Sequence, residues 1–152
     1  SMYASISMAF GNNEGDPFEV AELVEWIERL EDIGVDRVGL ADTTAQATPD
    51  DVRDVYTAVQ RERGDRRVPE AHLHCTPQTQ EALVDAALTA DCRDFDAALG
   101  GLGGCQFAKG PESNVSTLSL ARQCRARGLV SDLPDDSLEE LDRRARSLAS
   151  GY

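Results

Sequence analysis

The chain has 152 residues, which is the length of one ordinary domain and is enough to bury a hydrophobic core. Its 28 acidic and 15 basic side chains give a net charge of −13, which disfavours nucleic acid and membrane surfaces as partners. No signal peptide or long apolar run precedes the four cysteines, and no two of them form a CxxC pair. We therefore expect reduced thiols and a cytoplasmic location.

Three segments share the start pattern of a helix, an N-cap residue followed by proline at the first helical position. The predicted starts are Asp16 and Pro17, Thr48 and Pro49, and Thr76 and Pro77. The segments are "DPFEVAELVEWIERLEDIG", "TPDDVRDVYTAVQRERG" and "TPQTQEALVDAALTA", of which the first two close at a glycine. We expect three helices that begin in the same way.

A strand-length apolar run precedes each of these helices, and a fourth run follows the third helix. The runs are "YASISMAF", "DRVGLA", "EAHLH" and "DFDAAL". With a fourth helix over "STLSLARQCRARG", the chain makes four strand–helix units at about 3–34, 36–64, 69–90 and 93–128. Such alternation predicts an α/β fold with a parallel sheet. The (β/α)4 arrangement fits either an open sheet or half of an eight-stranded barrel.

The last amphipathic stretch, "DDSLEELDRRARSLASG", predicts a terminal helix over about 135–150. Leu138, Leu141 and Leu148 are expected to face inward. No linker or low-complexity segment interrupts the pattern, so residues 1–152 are predicted to form a single domain.

The two histidines of the chain lie two residues apart in the third predicted strand. Alternation along a strand places the His72 and His74 imidazoles on one face and Leu73 on the other. Two imidazoles on one face often form part of a divalent metal site. The alternative is that they are two surface histidines with the same spacing. Asp42 and Thr43 supply oxygen groups where the second strand ends. The alternative role for Asp42 is to accept backbone N–H groups at a helix entry.

A glycine-rich loop with one cysteine, "GLGGCQFAKGPESN", follows the fourth predicted strand. Its glycines permit positive φ and close approach of a ligand, so the loop can present the Cys105 thiol to a bound molecule. These glycines include Gly101, Gly103, Gly104 and Gly110. A flexible turn beside a buried cysteine is the alternative. Asn114 ends the loop and adds another oxygen donor.

Four stretches match a known family in sequence order: "YASISMAFGNNEGDP", "VGLADTTAQATP", "AHLH" and "FDAALGGLGGCQFAKGPESN". The chain resembles the second half, the C-terminal half-barrel, of 3-hydroxy-3-methylglutaryl-CoA lyase and of related pyruvate carboxyltransferase-like TIM-barrel metallolyases. The resemblance covers nearly the whole chain. The cysteine loop with its trailing asparagine points to the lyase branch rather than to the condensing synthases.

The resemblance implies that His72, His74 and Asn114 bind a divalent metal, Mg²⁺ or Mn²⁺, with Zn²⁺ as a further option. It implies that Cys105 helps to move a proton and that Asp42 lies near the tertiary hydroxyl of the substrate. The predicted substrate-loop residues are the four glycines named above and Thr43. The implied reaction is retro-Claisen cleavage of a 3-hydroxy-acyl-CoA to acetyl-CoA and a keto acid.

The resemblance also implies that a first half-barrel, which carries an Arg-Asp motif in the family, comes from elsewhere. We expect a second copy of the chain, as a homodimer or higher oligomer, or a separate first-half chain to close an eight-stranded barrel. Asn12, Asn13 and Glu14 follow the first strand but do not plainly replace the motif, and Cys75 stands where the family has an acidic residue. The alternative is a non-catalytic half-barrel that assembles and binds metal or acyl-CoA weakly.

Overall fold

The computed structural model describes residues 1–11, 15, 19–108, 113–129 and 134–149. Five strands and five helices follow one another along this part of the chain. They are β1 (Tyr3–Ile6), α1 (Val20–Asp32), β2 (Arg37–Ala41), α2 (Pro49–Arg63), β3 (Glu70–His72), β4 (His74–Cys75), α3 (Gln80–Thr89), β5 (Ser113–Asn114), α4 (Thr117–Ala126) and α5 (Asp135–Ala149). A 3-10 turn, Leu99–Gly101, precedes the cysteine loop.

The predicted parallel sheet is present, and its strand order is β1-β2-β3. The fourth predicted strand, however, is reduced to two isolated parallel bridges, one between Ala98 and Ser116 and one between Phe95 and Ala71. At the Phe95 bridge the Ala71 amide donates to the Asp94 carbonyl and the Asp96 amide donates to the Ala71 carbonyl, both at 2.9 Å. The expectation of a continuous strand over 94–99 is therefore wrong. The chain keeps the parallel direction there before it enters the 3-10 turn.

The third predicted strand is split at Leu73. β3 extends the parallel sheet, whereas β4 pairs antiparallel with β5 and places His74 opposite Asn114. The sequence pattern does not predict this pair, because each partner is two residues long and leaves no periodic signal. The split nevertheless brings the end of the cysteine loop back to the histidines.

Helix α2 begins as predicted. The Thr48 Oγ1 accepts from the Asp51 amide at 3.2 Å, and the Asp51 carboxylate accepts from the Thr48 amide at 2.9 Å, which completes a capping box. The predicted first-helix cap, Asp16 and Pro17, lies outside the described residues, as do Asn12, Asn13 and Glu14.

Helix α3 begins at Gln80, three residues after Pro77, which is the predicted first helical residue. Thr76 and Thr79 close a turn in which each side-chain oxygen accepts from the backbone amide of the other, at 2.9 and 3.2 Å. This is the same reciprocal pattern as the capping box at Thr48, and the Gln80 amide donates to the Thr76 carbonyl at 3.0 Å, as in the first turn of a helix. Thr76 therefore makes the predicted capping contacts, and a turn over 77–79 leads into α3.

The hydrophobic core lies between the sheet and helices α1, α2 and α3. Leu40, Ala71 and Leu73 point into it from the strands, and Ile27, Val52 and other helix residues meet them. None of the helices in the described part of the chain is both long and apolar enough to cross a membrane. The opposite face of the sheet carries small and polar side chains and forms the wall of a cavity.

The terminal helix α5 packs against α4 and the 3-10 turn. Leu138 and Asp142 are buried in this contact, whereas Leu141 and Leu148 are 46% and 72% exposed. The expectation that all three leucines face inward is wrong for these two. Leu138 and Asp142 are four residues apart and share one helix face, which is the face that docks.

Candidate active site

The inner face of the sheet is set by strand register. Tyr3 lies opposite Arg37, Ser5 lies opposite Gly39 and Ala41 lies opposite His72. Partners in a parallel ladder project from the same side of the sheet, so these side chains line one concave surface. A Cβ at Gly39 would lie 2.1 Å from the Tyr3 hydroxyl oxygen, so a side chain there would displace the Tyr3 ring.

An open cavity of about 670 Å³ lies over the carboxyl end of this surface. It brings together predicted site residues from three parts of the chain. The described residues lining it are Tyr3, Ser5, Ser7, Ala41, Thr43, His72, His74, Asp96, Gly104, Cys105, Gln106 and Phe107. Both histidines, the loop cysteine and Thr43 therefore face a common space, as expected for the carboxyl end of parallel strands.

The two imidazoles lie on one face, as predicted, with ring centroids 4.9 Å apart and ring planes at 79°. Leu73 between them is buried in the core on the opposite side. The His74 Nδ1 lies 2.8 Å from the Asp42 carbonyl oxygen, and the His72 Nδ1 lies 2.7 Å from an Asp96 carboxylate oxygen. Since a carbonyl can only accept, the His74 Nδ1 carries a proton, and in the neutral ring the Nε2 keeps a lone pair.

The Asp42 carboxylate is turned away from the cavity. It accepts from the Gln46 amide at 3.0 Å and from the Ala47 amide at 3.3 Å, and the residue is 1% exposed. Burial raises the pKa of this carboxyl above its ordinary value, although the two amides partly oppose the rise. The geometry supports the helix-entry role and not the substrate-facing one. Asp42 acts on the site through its backbone carbonyl, which holds His74.

Asn114 is held next to the histidines by backbone pairing. It lies opposite His74 in the β4–β5 pair, and its Nδ2 donates to the Leu102 carbonyl at 2.9 Å. Its Oδ1 is buried and has no hydrogen-bond partner in the described part of the chain. A buried acceptor without a partner is costly, so this oxygen is suited to meet a ligand.

The loop glycines make room for Asn114. A Cβ on Gly103 would lie 2.7 Å from the Asn114 Nδ2, and a Cβ on Gly101 would lie 3.1 Å from the Asn114 carbonyl oxygen. Gly103 also has φ of +88°, in the region that other residues rarely adopt. These two glycines therefore position the asparagine. Gly104 lines the cavity itself, whereas Gly110 lies outside the described residues.

Cys105 differs from the other cysteines, which are all buried. It is half-buried and faces the cavity. Burial raises the pKa of the Cys75 thiol to about 11 and that of Cys92 to about 12, so these two thiols stay protonated at neutral pH. The Cys75 Sγ lies 3.9 Å from the Gln80 Oε1. Of the described cysteines, Cys105 is the one placed to meet a substrate.

Two residues that are not among the predicted site residues also shape the site. Asp96 lines the cavity and contacts His72. Gln80 is buried, and its Oε1 accepts from the Ser116 amide at 2.9 Å, which fixes the chain two residues after Asn114. The spacing of Asp94 and Asp96 in the fourth apolar run could have indicated Asp96. No local pattern could have indicated Gln80, because its partner is distant in sequence.

The arrangement combines two imidazoles, a buried amide oxygen and a thiol at one end of the sheet. Within the described residues, no group of three His, Cys, Asp or Glu side chains is placed to hold a metal ion. A metal held here would thus depend on the Asn114 oxygen or on groups from elsewhere. Imidazole nitrogens and an amide oxygen are suitable ligands for a metal ion, and a thiol is a group that can donate a proton.

No protein-family model matches the chain. Curated relatives are lyases that act on CoA esters. The (R)-citramalyl-CoA lyase of Chloroflexus aurantiacus is 36% identical over 133 residues, covering 82% of this chain and 40% of that enzyme. The mitochondrial hydroxymethylglutaryl-CoA lyase of Rattus norvegicus is 31% identical over 133 residues, covering 85% of this chain and 39% of that enzyme. The chain thus spans about 40% of the length of these relatives.

Solved structures give the same result. An HMG-CoA lyase from Acinetobacter baumannii, in complex with coenzyme A and 3-methylmalate, has a TM-score of 0.81 at 31% identity, covering 96% of this chain and 48% of that one. The HMG-CoA lyase of Brucella melitensis has a TM-score of 0.81 at 28% identity, covering 96% of this chain and 51% of that one. The carboxyl transferase domain of Rhizobium etli pyruvate carboxylase, at 17% identity and a TM-score of 0.74, shares the fold.

Proposed function

Because the chain is homologous over most of its length to HMG-CoA lyases and to a citramalyl-CoA lyase, we propose that it is the cysteine-loop half of a carbon–carbon lyase. Its substrate would be a 3-hydroxy-acyl-CoA, cleaved to acetyl-CoA and a keto acid. The observation that carries the proposal is the cavity shared by His72, His74 and Cys105, with Asn114 paired to His74.

A divalent metal, Mg²⁺ or Mn²⁺ with Zn²⁺ as a further option, would be held by His72, His74 and Asn114. The fit rests on the buried, unpartnered Asn114 Oδ1 and on the occupied Nδ1 atoms, which leave Nε2 of each imidazole toward a ligand. Neutral imidazole and amide oxygen are ligands that suit these ions. When bound, the metal supplies positive charge that polarises the substrate oxygens.

The thiol of Cys105 would serve as the proton donor of the reaction. In the cleavage, the substrate hydroxyl loses its proton to a base and becomes a carbonyl. The electron pair of the broken C2–C3 bond passes to the acetyl-CoA fragment as its enolate. Cys105 then returns a proton to that carbon. Its half-buried position on the cavity wall allows contact with substrate while limiting access of bulk water.

The sheet edge supports a partner that completes the barrel, because β1 pairs with β2 on one side and, among the described strands, with none on the other. We propose a second copy of this chain or a separate first-half chain, either of which would add strands beside β1 and beside the segment at Phe95. Light scattering at micromolar concentration that returned a folded monomer near 16.5 kDa would exclude the homodimer. The free thiols of the described residues support a reducing compartment such as the cytoplasm.

The experiment that tests the proposal is a lyase assay on the purified chain. Acetyl-CoA release from 3-hydroxy-3-methylglutaryl-CoA and from citramalyl-CoA is measured with Mg²⁺ or Mn²⁺, alone and with a first-half fragment. Release that depends on His72 and His74 supports a lyase. The absence of release under both conditions, with Mn²⁺ still bound, contradicts it and favours the non-catalytic half-barrel.

That alternative has one specific observation in its favour. Cys75 replaces an acidic residue of the family, and its thiol is buried against Gln80 rather than directed to the cavity. Replacing Cys75 with Asp therefore distinguishes the two functions. A rise in metal affinity or turnover in that variant would show that the natural chain has lost part of the site.

A further inference from the structure

We propose that Asp96 is a positioning residue that fixes the His72 imidazole in the Nδ1-protonated form and directs the Nε2 lone pair into the cavity. The use of this lone pair in metal binding rests on the proposed function, whereas the orientation of the ring follows from the geometry. The His72 Nδ1 lies 2.7 Å from an Asp96 carboxylate oxygen.

The backbone places this carboxylate where it is needed. Phe95 bridges Ala71 in parallel, and both face the helices, since Ala71 is buried and Phe95 packs against the core. Alternation along the chain then turns Asp96 to the inner face, beside the residue that follows Ala71, which is His72. The Asp96 amide is itself held by the Ala71 carbonyl at 2.9 Å. The contact therefore follows from strand pairing.

The chemistry of the acceptor decides the tautomer. An ionised carboxylate can only accept, so the proton between the two groups belongs to the His72 Nδ1 in the neutral ring. His74 is held in the same form by a different acceptor, the Asp42 carbonyl oxygen. The protein thus fixes two neighbouring imidazoles in one tautomer by two independent means. A second group that orients an imidazole in this way is also what raises its strength as a metal ligand.

The carbonyl partner of His74 provides an internal control. Removing the Asp96 side chain cannot change a backbone acceptor, so His74 must keep its tautomer when His72 loses its own. Asp96 is about half exposed, and its replacement creates no buried cavity. A matched control is Asp94→Ala, two residues earlier. The Asp94 carboxylate lies 2.7 Å from an Arg67 guanidinium nitrogen, and this ion pair does not line the cavity.

The test is nitrogen-15 NMR of the two histidine rings in the full chain, without metal, at a pH where both rings are neutral. We expect the Nδ1-protonated tautomer for both rings in the natural chain and in Asp94→Ala. In Asp96→Ala we expect His72 alone to revert to the Nε2-protonated form that free histidine prefers. An Nε2-protonated His72 in the natural chain, or no change in Asp96→Ala, would overturn the proposal.

A second measurement tests whether the Asp96 contact affects the affinity for a metal ion. Calorimetric titration with Mn²⁺ is expected to show an affinity about 10–100-fold lower for Asp96→Ala than for Asp94→Ala. Equal affinities of the two variants would overturn the positioning role. A natural chain that bound no Mn²⁺ would contradict the proposed function, while the tautomer of His72 would still decide the role of Asp96.

Discussion

The two ends of the parallel sheet are built from different chemistry. At the amino end, Arg37 pairs with Glu70 and Arg67 pairs with Asp94, so opposite charges neutralise each other across neighbouring strands. At the carboxyl end, two imidazoles and a thiol line an open cavity. The nearby Asn114 Oδ1 has no hydrogen-bond partner within the described residues. The paired charges at the amino end already satisfy each other. Groups with free lone pairs or a transferable proton are available to a ligand.

The largest effect is expected from removing both imidazoles. A His72→Ala, His74→Ala variant should lose binding of Mn²⁺ altogether, because the Asn114 oxygen alone is a weak site. Isothermal titration calorimetry measures this directly. Arg67→Ala at the opposite end is the control and should bind as the natural chain does. Unchanged binding in the double variant would remove the carboxyl end as the metal site.

The next largest effect concerns Cys105 and requires an assembly that is active. Replacement of Cys105 by Ser should lower turnover by about 10²–10⁴-fold, the usual contribution of a positioned acid or base. The melting temperature should stay nearly constant, because a half-buried loop side chain contributes little packing. A large fall in melting temperature with normal turnover would assign Cys105 a structural role instead.

Asp142 is expected to affect stability, since it ties α5 to the start of the cysteine loop. Its Oδ1 accepts from the Gly100 amide at 2.7 Å, and its Oδ2 accepts from the Arg146 Nε at 2.9 Å. Asp142→Ala should lower the free energy of unfolding by about 1.5–3 kcal/mol, as expected for bonds to a charged group. Urea unfolding at pH 7 measures the loss. Arg146→Ala, which keeps the Gly100 bond, should lose less.

The same residue predicts a dependence on pH. Burial alone would raise the pKa of Asp142, but the bonds from Arg146 and Gly100 outweigh it and hold the pKa below its ordinary value. Its stabilisation is therefore present above the unfolded pKa, about 3.9, and is lost as the pH falls through the lower folded value. The stability difference between the natural chain and Asp142→Ala should shrink below about pH 4. A difference that grew in acid would contradict this.

The smallest effect is expected at the amino end. The Arg67–Asp94 pair is largely exposed, so Arg67→Ala should cost less than about 1 kcal/mol of folding free energy and should leave Mn²⁺ affinity unchanged. Urea unfolding and calorimetry on the same sample test both statements. A loss of metal affinity here would show that the two ends of the sheet are coupled.

Much of the fold follows from local sequence signals. The capping box at Thr48 and the proline that follows it predict where α2 begins, and the histidine spacing predicts two imidazoles on one face. Local signals were misleading where tertiary packing chose between the faces of one helix. Leu141 is exposed because α5 docks by the face that carries Leu138 and Asp142.

By itself, the sequence determined the α/β class, the parallel sheet and which residue types reach the carboxyl end of the strands, because these depend on periodicity and on residues near one another in the chain. The tertiary structure alone decided which groups are free to react. It committed the Asp42 carboxylate to two loop amides, left the Asn114 Oδ1 without a partner and placed Asp96 against His72. Each of these outcomes depends on the register between segments distant in sequence, which no local pattern encodes.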